Sequence, residues 1–240
     1  MLEKTKGIVL HTLKYGESSL IVHVYTLTSG RQSLIVNAPR GQRAHSKLSQ
    51  LQPLFLLDLD IHYKPGREVN RIKELRGYSP YSTLPFDMVK TTQAIFIAEV
   101  LSRLLVEAES NPELYEFLET SLLYFDLMQT GSHQFHLWLL VQLTDYLGIR
   151  PEIQAPAAHW FDLEKGLEVD YEPSHPHSLT PANTALLLRV LQTGLMELST
   201  LKIPRSDRNQ LLQKILQYYH LHFNNLASLK SMAVLAEVFS

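Results

Sequence analysis

Between Lys6 and Ser79 apolar and polar residues alternate with a period of two, the pattern of strands with one dry face and one wet face. Lys6–Leu13 comes first. In Ser18–Thr26, Leu20, Val22 and Val24 fall on one face and His23 and Tyr25 on the other. Thr28-Ser29-Gly30 signals a turn, and Arg31–Asn37 follows with Leu34 and Val36 alternating against Ile35. Leu54–Tyr63 sets Leu57, Leu59, Ile61 and Tyr63 opposite Asp58, Asp60 and His62; Pro65-Gly66 breaks it, and Glu68–Tyr78 is the fifth run. Five short antiparallel strands predict a small closed barrel, an OB-fold first and an SH3-like barrel as the rival.

After Leu84-Pro85 the period changes to that of helices. Ile95, Ala98, Leu101 and Leu105 recur within Phe86–Glu107. Asn111-Pro112 is a cap followed by proline at the first helical position, opening a helix to Met128. Further helices are expected over His133–Leu147, from Thr180-Pro181 to Leu198, over Pro204–Phe223 and over Ala227–Phe239. Ile149–Leu179 interrupts this series with prolines and weak periodicity, and Trp160–Val169 within it reads as a hairpin turning at Lys165-Gly166. The fold class expected is therefore α+β and multidomain. Residues 1–80 form an OB-fold nucleic-acid-binding domain and 81–240 an all-α helical domain, with 149–179 an irregular insertion.

Charge sharpens this division. Residues 1–84 hold twelve Lys or Arg against six Asp or Glu, whereas the remainder holds ten against eighteen, so a near-neutral total of −2 splits into +6 and −8. A basic barrel faces a polyanion. There is no cysteine, which excludes disulfides, thiolate zinc sites and cysteine nucleophiles and fits a reducing compartment. The first residues carry charges with no apolar run behind them, unlike a signal peptide. The apolar stretches Ala94–Leu101 and Leu137–Leu143 fall far short of the roughly 18 residues of a membrane span. A soluble cytoplasmic protein with no membrane contact is expected.

The candidate chemistry is cationic. Asn37–Leu48 contains Arg40, Gly41, Arg43 and Lys47 and no acid. Glycine lets a backbone approach a ligand, and each guanidinium can fork onto one phosphate. Arg67, Arg71, Lys73 and Arg76 crowd the fifth strand, with Arg71 and Lys73 on one face by period-two counting, and Arg31 opens the third strand. Tyr15, Tyr25, Phe55, Tyr63, Tyr78 and Tyr81 are possible stacking platforms or core residues. A cationic groove with interspersed aromatics suits single-stranded nucleic acid.

A second basic cluster, Lys202, Arg205, Arg208 and Lys214, lies in the acidic half. Arg208 precedes Leu212 by one turn, and Leu212 heads the stripe Leu212, Ile215, Leu216, Tyr219. Either these side chains form the lip of a groove for an acidic-hydrophobic peptide, or Leu212 faces the core and the cations sit at its rim. His159, His175 and His177 are zinc-ligand types without a diagnostic spacing, so a plain loop is the expectation and no metal or other cofactor is assigned. The sequence has no phosphate-binding loop, no nucleophile elbow and no His-Glu-x-x-His helix, so no enzyme is expected. Glu113, Glu116 and Glu119 share one helix face without histidines to accompany them.

Several segments, in order along the chain, resemble the DNA repair protein RecO family: Gly7–Leu10, Tyr15–Ile21, Tyr25–Arg31, Ala38–Arg43, Leu51–Leu54, Glu99–Leu105 and Leu229–Ser231. The resemblance implies an N-terminal OB-fold, a helical C-terminal domain and a nucleoid-associated recombination mediator. Such a mediator binds single-stranded DNA, anneals complementary strands and acts with RecR to load RecA onto DNA coated by single-stranded DNA-binding protein; duplex DNA is left open as a ligand. It carries DNA binding onto Arg40, Gly41 and Arg43. It also implies a site for the acidic-hydrophobic tail of the single-strand-binding protein, assigned to Arg205, Arg208, Leu212 and Lys230. Many relatives carry a four-cysteine zinc site in the segment matching Ile149–Leu179; this chain has none, so zinc is not carried over. The alternative is a non-catalytic adaptor whose basic barrel binds acidic protein segments.

Overall fold

The computed structural model describes residues 1–37, 49–64, 66–154, 159–223, 226 and 229–238. They divide into two compact units, Met1–Asp126 with Leu229–Ser240, and Leu127–Ser228.

The first unit holds strands β1 (Leu2–Tyr15), β2 (Ser19–Thr26), β3 (Gly30–Asn37), β4 (Leu56–His62) and β5 (Val69–Gly77). They close into a barrel in the order β1-β2-β3-β5-β4. β3 and β5 run parallel and the other pairs antiparallel. This is the five-stranded Greek-key barrel of the OB-fold, so the SH3-like alternative falls away. β1 is longer than the pattern predicts because it serves two neighbours. Leu2–Ile8 pairs with β4, and Gly7–Tyr15 pairs with β2 across an irregularity between Val9 and His11. Gly7 occupies the corner, where a Cβ would lie 2.4 Å from Val24 Cγ1. Alternating positions such as Val22, Val24, Leu34, Leu57, Leu59 and Ile61 fill the barrel core.

Helix α1 (Met88–Leu104) starts at the cap Asp87, whose side chain accepts the Lys90 N–H. Helix α2 (Pro112–Leu127) follows, with Asn111 Oδ1 accepting the Leu114 N–H. Lys6 reaches from β1 to Glu119 of α2 at 3.0 Å and lies over the Tyr78 ring, while the Tyr78 hydroxyl also donates to Glu119. One of the three glutamates on that helix face is therefore a tie to the barrel. The last helix, here numbered α6 (Ser231–Val238), belongs to this same unit. Glu99 of α1 caps it, accepting the backbone N–H groups of Lys230 and Ser231 and the Ser231 hydroxyl.

The second unit contains α3 (Phe135–Tyr146), the small strands β6 (Trp160–Asp162), β7 (Leu167–Val169) and β8 (Ser178–Leu179), α4 (Pro181–Gln192) and α5 (Arg205–His222). α3 is buried from Phe135 to Val141, with Trp138 Nε1 donating to Thr193 O and Tyr219 of α5 donating to Leu140 O. The fourth helix ends earlier than its periodicity suggests. Gly194 interrupts it, and Leu195–Thr200 continues as a 3-10 turn. The expected hairpin is β6–β7, turning through Gly166 at a φ of 73°.

Candidate nucleic-acid interface

OB-fold barrels bind oligonucleotides on the face of strands 2 and 3 and on the loops between strands 1–2 and 4–5. Here the register fixes what that face presents. Leu13, Ile21, Ile35 and Arg71 form one row across β1, β2, β3 and β5, and Tyr15, Ser19 and Asn37 form the next. Tyr15 is 56% exposed and Leu13 43%. Tyr25 and Tyr81 are buried, Phe55 and Tyr63 pack against the barrel core, and Tyr78 is tied to Glu119. Of the six aromatics, Tyr15 alone stands open on this face.

Arg71 is exposed and donates to Asn37 Oδ1 at 3.1 Å, which aims its guanidinium along the end of β3. Lys73 is exposed too, but a register shift in β5 intervenes. Ile72 pairs with Ile61 and Glu74 with Asp60, leaving Lys73 as the extra residue. The bulge resets the inward positions from Asn70 and Ile72 to Leu75, so Arg76 turns to another part of the barrel. There it lies 4.0 Å from Glu74 and lines a cavity of about 510 Å³ with Lys4, Lys6, Asp58 and Asp60. That surface is mixed in charge. In the loop between β4 and β5, Lys64 and Arg67 are exposed, and the Arg67 N–H donates to Lys64 O. Arg40, Gly41, Arg43 and Lys47 lie outside the described residues; they follow Asn37 closely in the chain.

Arg31 does different work. Its Nη1 donates to Ser102 O at 2.6 Å and Leu105 O at 3.2 Å, carbonyls at the C-terminal end of α1 that the helix leaves unpaired. Burial lowers its pKa. On the open face, His23 stacks with His11 and hydrogen bonds Ser33 Oγ. Burial, then Arg31, then His11 lower the pKa of His23, so the imidazole is neutral at physiological pH. The fixed charge of the face comes from Arg and Lys.

The cluster expected around Arg208 resolves into core. Arg208 is 5% exposed and Leu212 2%, and the buried stripe of α5 runs Arg208, Leu211, Leu212, Ile215, Tyr218, Tyr219. Leu212 faces inward. Arg205 is exposed, and Lys214 donates to Pro176 O. Lys230 sits elsewhere, in the first unit, at the rim of a groove of about 520 Å³. Its apolar floor includes Leu10, Pro53, Ile95 and Val234, with Arg103 at the margin. Sequence reasoning missed this groove, because its walls come from β1, α1 and α6. The exposure of Ile95 (45%) and Val234 (49%), each on an apolar helix stripe, reveals it only once the helices are placed.

Arg208 also bears on a buried histidine, His136. Burial first, then Arg208 and His133, push the pKa of His136 down to about 3. An unfolded histidine titrates near 6.5, so the stabilisation is complete above that pH and is lost as the pH falls toward the folded value. By pH 5 the loss amounts to about 2 kcal/mol. The melting temperature is expected to drop between pH 7 and pH 5, and His136→Gln to flatten that drop. An equal slope in the variant would remove His136 as the cause.

These features define a class: an OB-fold protein with an exposed, cation-fringed β face, joined to a helical region. Residues 1–81 match the family described as Recombination protein O N terminal, and 85–233 match Recombination protein O C terminal. The chain is 35% identical to the DNA repair protein RecO of Bacteroides fragilis over 241 residues, covering all of both chains. It is 34% identical to that of Phocaeicola vulgatus, again over all of both, and 34% identical to that of Flavobacterium psychrophilum over 99% of each. The chain belongs to the Recombination protein O family. A four-cysteine zinc set does not fit it, because no thiol is present. Among the described residues no helix is long and apolar enough to cross a membrane.

Proposed function

We propose that this chain is a non-catalytic mediator of DNA repair and recombination that binds single-stranded DNA on its barrel and anneals complementary strands. The observation that carries the reading is the open β1-β2-β3-β5 face, with exposed Tyr15 on β1, exposed Arg71 and Lys73 on β5 and the basic β4–β5 loop at its edge. Phosphates meet the cations and bases meet the aromatic and apolar row. Annealing needs two polyanions to approach, and moderate, numerous phosphate contacts lower their repulsion without trapping either strand. Arg40, Gly41, Arg43 and Lys47 complete the DNA-binding set with Arg67, Arg71 and Lys73. Arg31, occupied at the end of α1, and Arg76, on the mixed-charge surface, are left out of it.

Family membership supports the wider role, in which the chain acts with RecR to load RecA onto strands coated by single-stranded DNA-binding protein. The groove beside Lys230 is the better receptor for that protein's acidic-hydrophobic tail. Its floor takes apolar side chains and its basic rim takes carboxylates, whereas Arg208 and Leu212 have no surface to offer.

The test is an annealing assay on naked and on protein-coated complementary strands. The wild type accelerates both. Lys230→Glu is expected to lose most of its effect on coated strands and to keep its effect on naked ones. Equal loss on both would refute the groove assignment, and a wild type that speeds neither would refute the mediator reading in favour of an adaptor.

A further inference from the structure

The second unit contains a cluster outside the DNA-binding set proposed above. The β6–β8 pairing sets Asp162 opposite Ser178, and the Leu163 N–H donates to His177 O, so His177 is held beside the turn that begins at Glu164. Lys214 pins the intervening Pro176 through its carbonyl. The result brings His175 and His177 together, rings 5.9 Å apart, on the side of the hairpin that carries Glu164. His177 Nδ1 lies 2.9 Å and His175 Nδ1 3.8 Å from Glu164 Oε1. One donor atom from each of the three residues falls within 4.8 Å of the others. His159 is not part of this set; its nearest carboxylate is Glu168, at 3.9 Å.

A second feature points the same way. Asp162 has a side chain only 1% exposed, and its two oxygens are used differently. Oδ1 accepts the backbone N–H groups of Glu164 and Lys165, which fixes the turn. Oδ2 makes no hydrogen bond and faces His175 Nε2 at 3.5 Å. A carboxylate there favours the tautomer with its proton on Nε2, turning the Nδ1 lone pair toward Glu164 and His177. That Nδ1 is itself buried without a hydrogen-bond partner. The Lys165 amine, 3.3 Å from the same Oδ2, balances the Asp162 charge, so Asp162 orients rather than ligates. Carboxylate behind histidine, histidine before metal, is the usual arrangement of ligating imidazoles.

We propose that Glu164, His175 and His177 form a site for a divalent transition-metal ion of the zinc type, with Asp162 as the positioning residue behind His175. Two imidazoles and one carboxylate select zinc, cobalt or nickel over magnesium or calcium, which prefer oxygen alone. Bonds of about 2.0–2.1 Å place tetrahedral ligand atoms about 3.4 Å apart, so the set closes by a shift of about 1 Å, well within the reach of the exposed Glu164 side chain. The bound ion would staple Glu164, two residues beyond β6, to the segment entering β8, in a stretch where each strand has three residues or fewer.

The experiment uses the full chain without a histidine tag, stripped with chelator, exchanged into metal-free buffer near neutral pH and titrated with Zn²⁺ alone. One ion per chain is expected. Ring-nitrogen spectra of the histidines should show the Nδ1 signals of His175 and His177 moving together while the other histidines stay still. Glu164→Gln and His177→Gln should each weaken binding by at least about 100-fold, and Asp162→Asn by about 10- to 100-fold, the usual effect of an outer partner. Absence of stoichiometric uptake, binding that survives His177→Gln, or movement of other histidine signals overturns the site. Should a variant fail to fold, the wild-type ring-nitrogen shifts decide alone.

Discussion

Asp126→Ala is expected to destabilise the first unit by about 3–5 kcal/mol, the range for breaking a buried charged network on one side. Asp126 is 4% exposed and lies near the end of α2. Its carboxylate accepts the backbone N–H groups of Ser82, Thr83 and Leu84, at 2.8, 2.8 and 2.6 Å, and the Ser82 hydroxyl at 2.8 Å. Those three N–H groups belong to the turn that leads from the barrel into α1. Alanine would remove the acceptor of all three; Leu84 is buried, and a buried orphan N–H costs about 1–3 kcal/mol. The Lys90 amine, which donates to Asp126 O, would also lose the negative charge that favours its protonated form. Burial alone would raise the pKa of Asp126, but the N–H donors outweigh it and the net shift is downward. The carboxylate therefore stabilises the fold above the unfolded value of about 3.9, and that contribution is lost as the pH falls through the lower folded value. Urea midpoints of wild type and variant at neutral pH measure the difference. A loss below about 1 kcal/mol would mean that the turn finds other acceptors.

How much of this was legible beforehand depends on how local the cause is. The five strands were readable because alternation is a property of neighbouring residues, and Gly30, Gly66 and Asn111-Pro112 mark their own turns and caps. The longer β1 was not readable, because its extra residues are strands only by virtue of β4 beside them. The bulge at Lys73 follows from the same limit. Strict period two groups Arg71 with Lys73 and continues to Leu75 on the wrong face, and only the register against β4 reveals the inserted residue. Arg31 looked like any basic strand residue until the carbonyl end of α1 arrived from some seventy positions downstream. Arg208 shows the opposite error. Its charge suggested a surface, whereas the i, i+3, i+4 spacing to Leu211 and Leu212 already put it on the buried stripe. The histidines near β8 were noticed as types, but Glu164 joined them only through strand pairing.

Arg67→Ala, Arg71→Ala and Lys73→Ala together are expected to halve the salt dependence of single-stranded DNA binding. Six cations on phosphates, these three with Arg40, Arg43 and Lys47, give a slope of about −4 for log affinity against log salt. Between about 50 and 200 mM salt the wild type should therefore weaken by about 300-fold. With three contacts removed the slope falls to about −2 and the same change in salt weakens binding by only about 20-fold. All three side chains are exposed, so the substitutions leave the barrel core intact. Two controls separate the contributions. Arg76→Ala, beside Glu74 and the Asp58–Asp60 surface, should leave slope and affinity unchanged. Tyr15→Ala should cost about 1–3 kcal/mol of affinity at every salt concentration without altering the slope, because stacking releases no counterions. A triple variant with the wild-type slope would move the DNA off this face. A Tyr15 variant with unchanged affinity would leave the face binding phosphates alone.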